Sequence, residues 1–364
     1  MDTMARSEKR AIILRHWRWF VAGAVFAAFL IATQARSLGG LAGLLLVGDD
    51  AHLRGFIEAL LDNVPLVRGE GHDGQIYFAM AHDLDGSTVG DLVNNPGIRY
   101  RRPVLPVLSS FGGLFSGSAV LWTTAAWLSV GTGVAWMSVR AILKELGASP
   151  LWMAPLIAYP GFWLAVRLFT PDMIGFGAAL LALAIVLLLP DRFGWAVVLM
   201  VLATLTKEAF LAIPVAAGAW LFLSGRRMRG ALIALVPAVT LAGAVALVLR
   251  RFDVEAVDGN LGLPFMGIID ARDTWPLTPV SDRIYVYLTM ALLLVGLAAI
   301  FVARSGLLRW LIAPWLLIAT VSSEWIWEIG NGLSRSFAPV AVFAGLAAAE
   351  RVRGRPITDL AAKA

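Results

Sequence analysis

The stretch Gly71-His72-Asp73-Gly74-Gln75-Ile76-Tyr77-Phe78 brings together an acid, two glycines and neutral hydrogen-bonding groups. The glycines free the backbone for a tight turn, which can present the Asp73 carboxylate. Gln75 and Tyr77 can then supply neutral hydrogen bonds beside it. The plainer reading is a turn in which Asp73 caps a helix over 75–81. Further ionisable residues stand at the ends of apolar runs: Asp172 after Thr170-Pro171, the neighbours Lys207 and Glu208, and Glu324, Glu328 and Arg335. Ionisable groups near membrane depth are costly, so each is a functional candidate. Each also has a structural alternative. Asp172 can cap a helix, Lys207 and Glu208 can close a hairpin as an ion pair, and Arg101 and Arg102 can anchor to lipid headgroups. Glu324 and Glu328 share a helix face, but Trp325 and Trp327 between them read as an interfacial aromatic belt. His72, His82, Asp73 and Asp83 match no metal-ligand spacing, and there is no cysteine. Those four side chains could still ligate a divalent ion, whereas no thiolate nucleophile and no cofactor are expected.

The elements that must position these residues are read from hydropathy. Hydrophobic residues make up 59% of the 364, charged residues 15%, and mean hydropathy is +0.76. A water-soluble domain averages about 45–50% apolar and about 25% charged. The composition is that of a polytopic membrane protein. Apolar runs near 17–35, 117–139, 151–168, 173–190, 194–206, 208–224, 230–250, 284–303, 308–322 and 336–350 predict an all-α bundle of about ten transmembrane helices. The runs 38–47 and 103–115 are too short to span, and the second reads as interfacial or re-entrant. Gly112, Gly113, Gly117, Gly131 and Gly133 are expected to permit close helix packing. The run Phe20–Thr33 reads as an anchor rather than a cleaved signal.

Charge supplies a direction. With a cytoplasmic N-terminus, the inner segments carry 17 Lys/Arg against 6 Asp/Glu, and the remainder carries 13 against 19. This is the asymmetry of the positive-inside rule. It puts both termini in the cytoplasm and leaves two long outer segments: 37–102, expected to carry short interfacial helices, and 251–283. The tail 351–364 is expected to be a solvated cytoplasmic end. Asp73, Asp172, Lys207, Glu208 and Glu324–Arg335 then meet at one outer face, and that convergence is the main argument from residues alone for a site there. The net charge of +5 is explained by cytoplasmic arginines, so no nucleic-acid partner is expected. No Walker A motif, GxSxG elbow, HExxH or dinucleotide fingerprint occurs in a suitable context, which argues against ATP-driven transport and serine hydrolysis.

The 71–78 segment resembles the YDGQFYY signature in the first outer loop of a bacterial family of polytopic cell-surface glycopolymer formation proteins, which is similar to the GT-C class of membrane glycosyltransferases. Arg99-Tyr100-Arg101-Arg102-Pro103, Thr170-Pro171-Asp172 and Leu205-Thr206-Lys207-Glu208 resemble that family's later elements in the same order. The likeness covers roughly 17–224. His72 replaces the usual aromatic residue and Ile76 the usual Phe. The resemblance implies a GT-C-like bundle in a bacterial inner membrane. It implies a sugar donor linked to polyprenyl phosphate, an envelope glycan, lipid or protein as acceptor, and a site on the periplasmic face. Asp73 is then the expected base, or instead the residue that orients the acceptor, and no metal is expected. Gln75, Tyr77, Asp83, Arg101, Arg102, Asp172, Lys207, Glu208 and Arg335 are the expected substrate contacts, with Lys207 and Arg335, or alternatively Arg101 and Arg102, on the donor phosphate. Two other readings stay open: a lipid-linked sugar flippase or secondary transporter, and a non-catalytic envelope-assembly subunit. A transporter more often places its acids at mid-membrane in repeated halves, and no such repeat is visible.

Overall fold

A computed structural model of the chain describes residues 13–252 and 262–363. It is mostly helical, with almost no sheet. The main helices are α1 (Trp17–Ser37), α2 (Asp73–His82), α3 (Val104–Gly113), α4 (Gly117–Glu145), α5 (Pro160–Arg167), α6 (Asp172–Leu188), α7 (Phe193–Thr206), α8 (Ala212–Leu223), α9 (Arg227–Phe252), α10 (Val280–Val302), α11 (Gly306–Val321) and α12 (Gly330–Arg353).

Five of these, α1, α4, α9, α10 and α12, are long and apolar enough to cross a membrane. The apolar helices α3, α6, α11 and the run Glu208–Leu223 are shorter. At 1.5 Å per residue, α6 is about 25 Å long, against a hydrocarbon core of about 30 Å. Central and peripheral helices are distinct. The apolar windows of α4 and α12 are 67% and 72% buried, whereas those of α1, α9 and α10 are 22%, 17% and 28% buried. The peripheral helices turn Leu235, Val239, Leu247, Leu294, Val295 and Phe301 outward. Such continuous apolar faces suit lipid rather than water.

Within the core, α4 packs against α1, α3 and α6, and α12 packs against α5, α10 and α11. The α4–α6 crossing is a contact between glycines. A Cβ on Gly131 would lie 2.8 Å from the Met173 carbonyl oxygen, and one on Gly177 would strike the Gly131 carbonyl. Gly112, Gly117 and Gly133 are equally hemmed in by backbone, as expected. Gly113 is not, since its nearest neighbour, the His82 ring, is at an ordinary 3.5 Å.

The run 151–168 is not one helix. It consists of a 3-10 turn at Pro150–Met153, a helix at Ala154–Ala158, an extended Tyr159, and then α5. Pro160 has no N–H to donate and disfavours helical geometry at Tyr159. The segment 37–102 holds short helices as expected. It also holds an unexpected two-stranded parallel pairing of β1 (Val47–Gly48) with β2 (Leu66–Val67). Within 251–283, residues 253–261 lie outside the described residues, as do most of the N-terminal basic residues used for orientation.

The tail is packed rather than solvated. Ile357, Leu360 and Ala361 are buried, and Arg226 Nη2 donates to the Ala361 carbonyl at 3.0 Å. Glu350, at the end of α12 remote from Arg335, is fully buried and accepts from three backbone amides. Its Oε2 takes Arg304 N and Ser305 N at 3.1 and 3.2 Å, and its Oε1 takes Ile357 N at 2.5 Å. A buried carboxylate needs this satisfaction. The fourth-residue spacing of Ile357 and Ala361 gives the tail an apolar face.

Candidate functional site

The turn before α2 is built around Gly71. Its φ is +77°, and a Cβ there would collide with the Leu46 carbonyl and the Gly48 amide. This close approach pairs Gly71 with Val47 and lets His72 N donate to Leu46 O at 3.0 Å. Gln75 closes the turn from inside, donating through Nε2 to Glu70 O at 2.5 Å and accepting from Gly48 N at 3.4 Å. Asp73 is thus the first residue of α2 and makes no capping bond. Its carboxylate is free to face the arginines.

Both Asp73 oxygens are paired. Oδ1 lies 3.0 Å from Arg99 Nη1 and Oδ2 lies 3.4 Å from Arg335 Nη2. The other arm of Arg335 continues the chain, with Nη1 3.3 Å from Asp172 Oδ2. Asp172 Oδ1 is 2.7 Å from Lys207 Nζ, which also reaches Ser336 Oγ at 3.3 Å. Next along the backbone, Glu208 receives Arg102 in a two-pronged pair, with Nε–Oε2 at 2.7 Å and Nη2 on Oε1. Arg101 Nη2 is 3.7 Å from the same Oε1. Tyr77 lies beside Arg102. Residues from the 37–102 segment, the start of α6, the α7–α8 connection and the first turns of α12 therefore form one charged network.

The network has an excess of cations. Asp73, Asp172 and Glu208 face Arg99, Arg101, Arg102, Lys207 and Arg335. The Nε atoms of Arg99, Arg101 and Arg335 and the Nδ1 of His72 are buried without a hydrogen-bond partner in the described protein. Buried donors are rarely left so. Such a set can take an anion. Burial opposes ionisation of Asp73, but Arg99, then His72 and Arg335, outweigh it and hold the carboxyl well below the usual carboxylate range. Burial also drives the His72 imidazole down to about 4, despite the opposing charge of Asp73 and the neighbouring Asn331 side chain. A small cavity under Arg335 and Asp172 is lined by Phe162, Phe176, Phe210 and Pro339.

Of the expected contacts, Tyr77, Arg101, Arg102, Asp172, Lys207, Glu208 and Arg335 gather with Asp73. Two have other occupations. Gln75 braces the 46–71 turn. Asp83 accepts from the amides of Ser87, Thr88 and Val89 at 3.1, 2.8 and 2.7 Å and so folds its own loop. Asp172 is not a cap, because no side-chain capping bond forms at α6. Glu324 is exposed and Glu328 half-buried on a short helix, Glu324–Glu328. Trp325 is exposed, but Trp327 lies in the core, 1% exposed and stacked on Phe337, which removes it from any belt. Arg99, His72, Asn331 and Ser336 enter the site without having been named as substrate contacts. The Arg99–Arg102 run carried a signal for the first, in its density of arginines.

Phe169, buried with φ at +50°, sits before Thr170-Pro171-Asp172. A bulky residue with positive φ is uncommon and costs about 1–3 kcal/mol. Here it turns the chain from α5 into α6 and aims Asp172. Among the described residues, no group of three or more His, Asp or Glu is placed to hold a metal ion.

No family model matches the chain, and neither characterised proteins nor solved structures give a match.

Proposed function

We propose that the protein is a GT-C-like membrane glycosyltransferase. On this reading about ten spans cross a bacterial inner membrane, both termini are cytoplasmic and the Asp73 network faces the periplasm. It moves a sugar from a polyprenyl-phosphate carrier to an envelope glycan, lipid or protein. The observation that carries the reading is the cation-rich network around Asp73, with unspent guanidinium donors. A lipid-linked sugar presents a phosphate to such a network, and arginine forks match phosphate oxygens in pairs.

The chemistry follows from the pairing. In the transfer, the acceptor oxygen bonds to the anomeric carbon as the bond from that carbon to the phosphate oxygen breaks. The electron pair leaves with the lipid phosphate, and the acceptor proton must go to a base. With Arg99 and Arg335 both on its oxygens, Asp73 is a poor base. An arriving donor phosphate competes for those two guanidiniums. Drawn onto the phosphate, they stabilise the leaving charge and release Asp73 to take the acceptor proton. Lys207 and Asp172 keep Arg335 at the correct height.

The test is transfer from a panel of radiolabelled polyprenyl-phosphate sugars to crude envelope acceptor by protein in nanodiscs. Transfer by the wild type that is lost in folded Asp73→Asn supports the reading. Equal transfer by both removes Asp73 from the mechanism. Movement of labelled lipid-sugar between leaflets without transfer favours a transporter.

A further inference from the structure

A second site lies at the end of α9, apart from the Asp73 network. A cavity of about 530 Å³ opens between that helix end and the 83–100 loop, lined by Leu84, Asp85, Tyr100, Leu247, Val248, Arg250, Arg251 and Phe252. This volume falls in the range of ligand sites, about 300–1,000 Å³. Its walls are built rather than accidental. The Phe252 ring is seated against Gly86 and Gly90 and packs on Tyr100 with centroids 4.7 Å apart. Arg251 lies over the Phe252 ring and donates from Nε to Asp85 O at 3.2 Å. Among the described residues, neither Arg250 nor Arg251 has a carboxylate within ion-pair distance.

The cavity is amphipathic along a definite axis. Leu247, 72% exposed, continues the outward apolar face of Leu235 and Val239, and the two arginines follow within one turn. At 1.5 Å per residue, this 26-residue helix is about 39 Å long, more than the hydrocarbon core of about 30 Å. The excess length lets its last turn reach headgroup level with Leu247 at acyl depth. We infer that this groove binds an acidic glycerophospholipid, its phosphate on Arg250 and Arg251 and an acyl chain along Leu247, Val248 and Leu84. A zwitterionic lipid brings an ammonium group that the arginine pair disfavours, so the site selects for net negative headgroups.

The experiment compares full-length protein in nanodiscs of phosphatidylglycerol mixed with phosphatidylcholine and in nanodiscs of phosphatidylcholine alone. The readouts are the melting temperature and the lipid retained in native mass spectrometry. The expected result is a higher melting temperature and retained phosphatidylglycerol for the wild type. The Arg250→Gln/Arg251→Gln variant should lose both effects while melting like the wild type in phosphatidylcholine. Val248→Trp fills the groove without changing charge and should lose the preference as well, which covers failure of the double variant to fold. Arg335→Gln, altered in the other network, should keep it. Four results would overturn the inference: no lipid preference in the wild type, preference retained in either groove variant, preference lost in Arg335→Gln, or the same stabilisation by free inorganic phosphate.

Discussion

Arg335 and Asp172, 163 positions apart, meet 3.3 Å apart with only 8% of each side chain exposed, and the same guanidinium reaches Asp73. One cation thus joins α12, α6 and α2. Arg335→Gln removes the bridge and leaves two carboxylates short of a partner. Breaking a buried ion pair costs about 3–5 kcal/mol. Lys207 still holds Asp172, so the lower end is expected, seen as a lowered melting temperature in detergent. Transfer activity should vanish, and Arg335→Lys should restore part of the stability but not the activity. A single ammonium cannot serve both carboxylates in a planar fork.

Glu208 is the shared partner of Arg101 and Arg102. Glu208→Gln should destabilise the protein by about 1–3 kcal/mol, because it strands hydrogen-bonding charges. Adding Arg102→Gln should recover part of that loss. A double-mutant cycle on unfolding midpoints measures the coupling, and additive effects would refute the pairing.

His72 controls a pH window. Its imidazole is neutral in the folded protein down to about 4, whereas an unfolded chain protonates it below about 6.5. Between those values the unfolded state binds more protons, so stability falls as pH is lowered from 6.5 to 4 and is flat above 6.5. Asp73, held below its ordinary 3.8, stays ionised across that range and loses its contribution only at lower pH. Melting curves at pH 4.5, 6 and 7.5 should show this slope in the wild type and a smaller one in His72→Phe.

Gly71→Ala should separate the turn from β1. Positive φ alone costs an alanine about 1–3 kcal/mol, and the methyl group meets backbone rather than a movable side chain. The expected outcome is loss of transfer with the helical circular dichroism intact, because α2 is displaced rather than unfolded.

The helical class and the long apolar segments were legible in composition and periodicity. So was the meeting of Asp73, Asp172, Lys207, Glu208 and Arg335, because Asp73 falls in the first outer segment and the others stand at the outer ends of apolar runs. The pairing was not legible. Asp73 and Arg335 are 262 positions apart, and no local pattern says which arginine an acid will choose. Gln75 and Asp83 were misplaced for a different reason. Short polar side chains often bond to nearby backbone, and sequence does not show which ones have been used up in that way. The break at Tyr159 had its signal in Pro155 and Pro160, which hydropathy alone passes over. The burial of Trp327 had none.

The glycine crossing of α4 and α6 has a consequence for protein engineering. Gly177 lies five residues, or about 7.5 Å of helix, from Asp172, and it has no room for a methyl group against Gly131. A larger residue at either position would lift α6 and carry Asp172 away from both Lys207 and Arg335. A library meant to change substrate preference should therefore randomise the rim, at Arg101 or Asn331, and keep 131 and 177 invariant. Diversity spent at the crossing would return inactive protein whatever chemistry the rim had acquired.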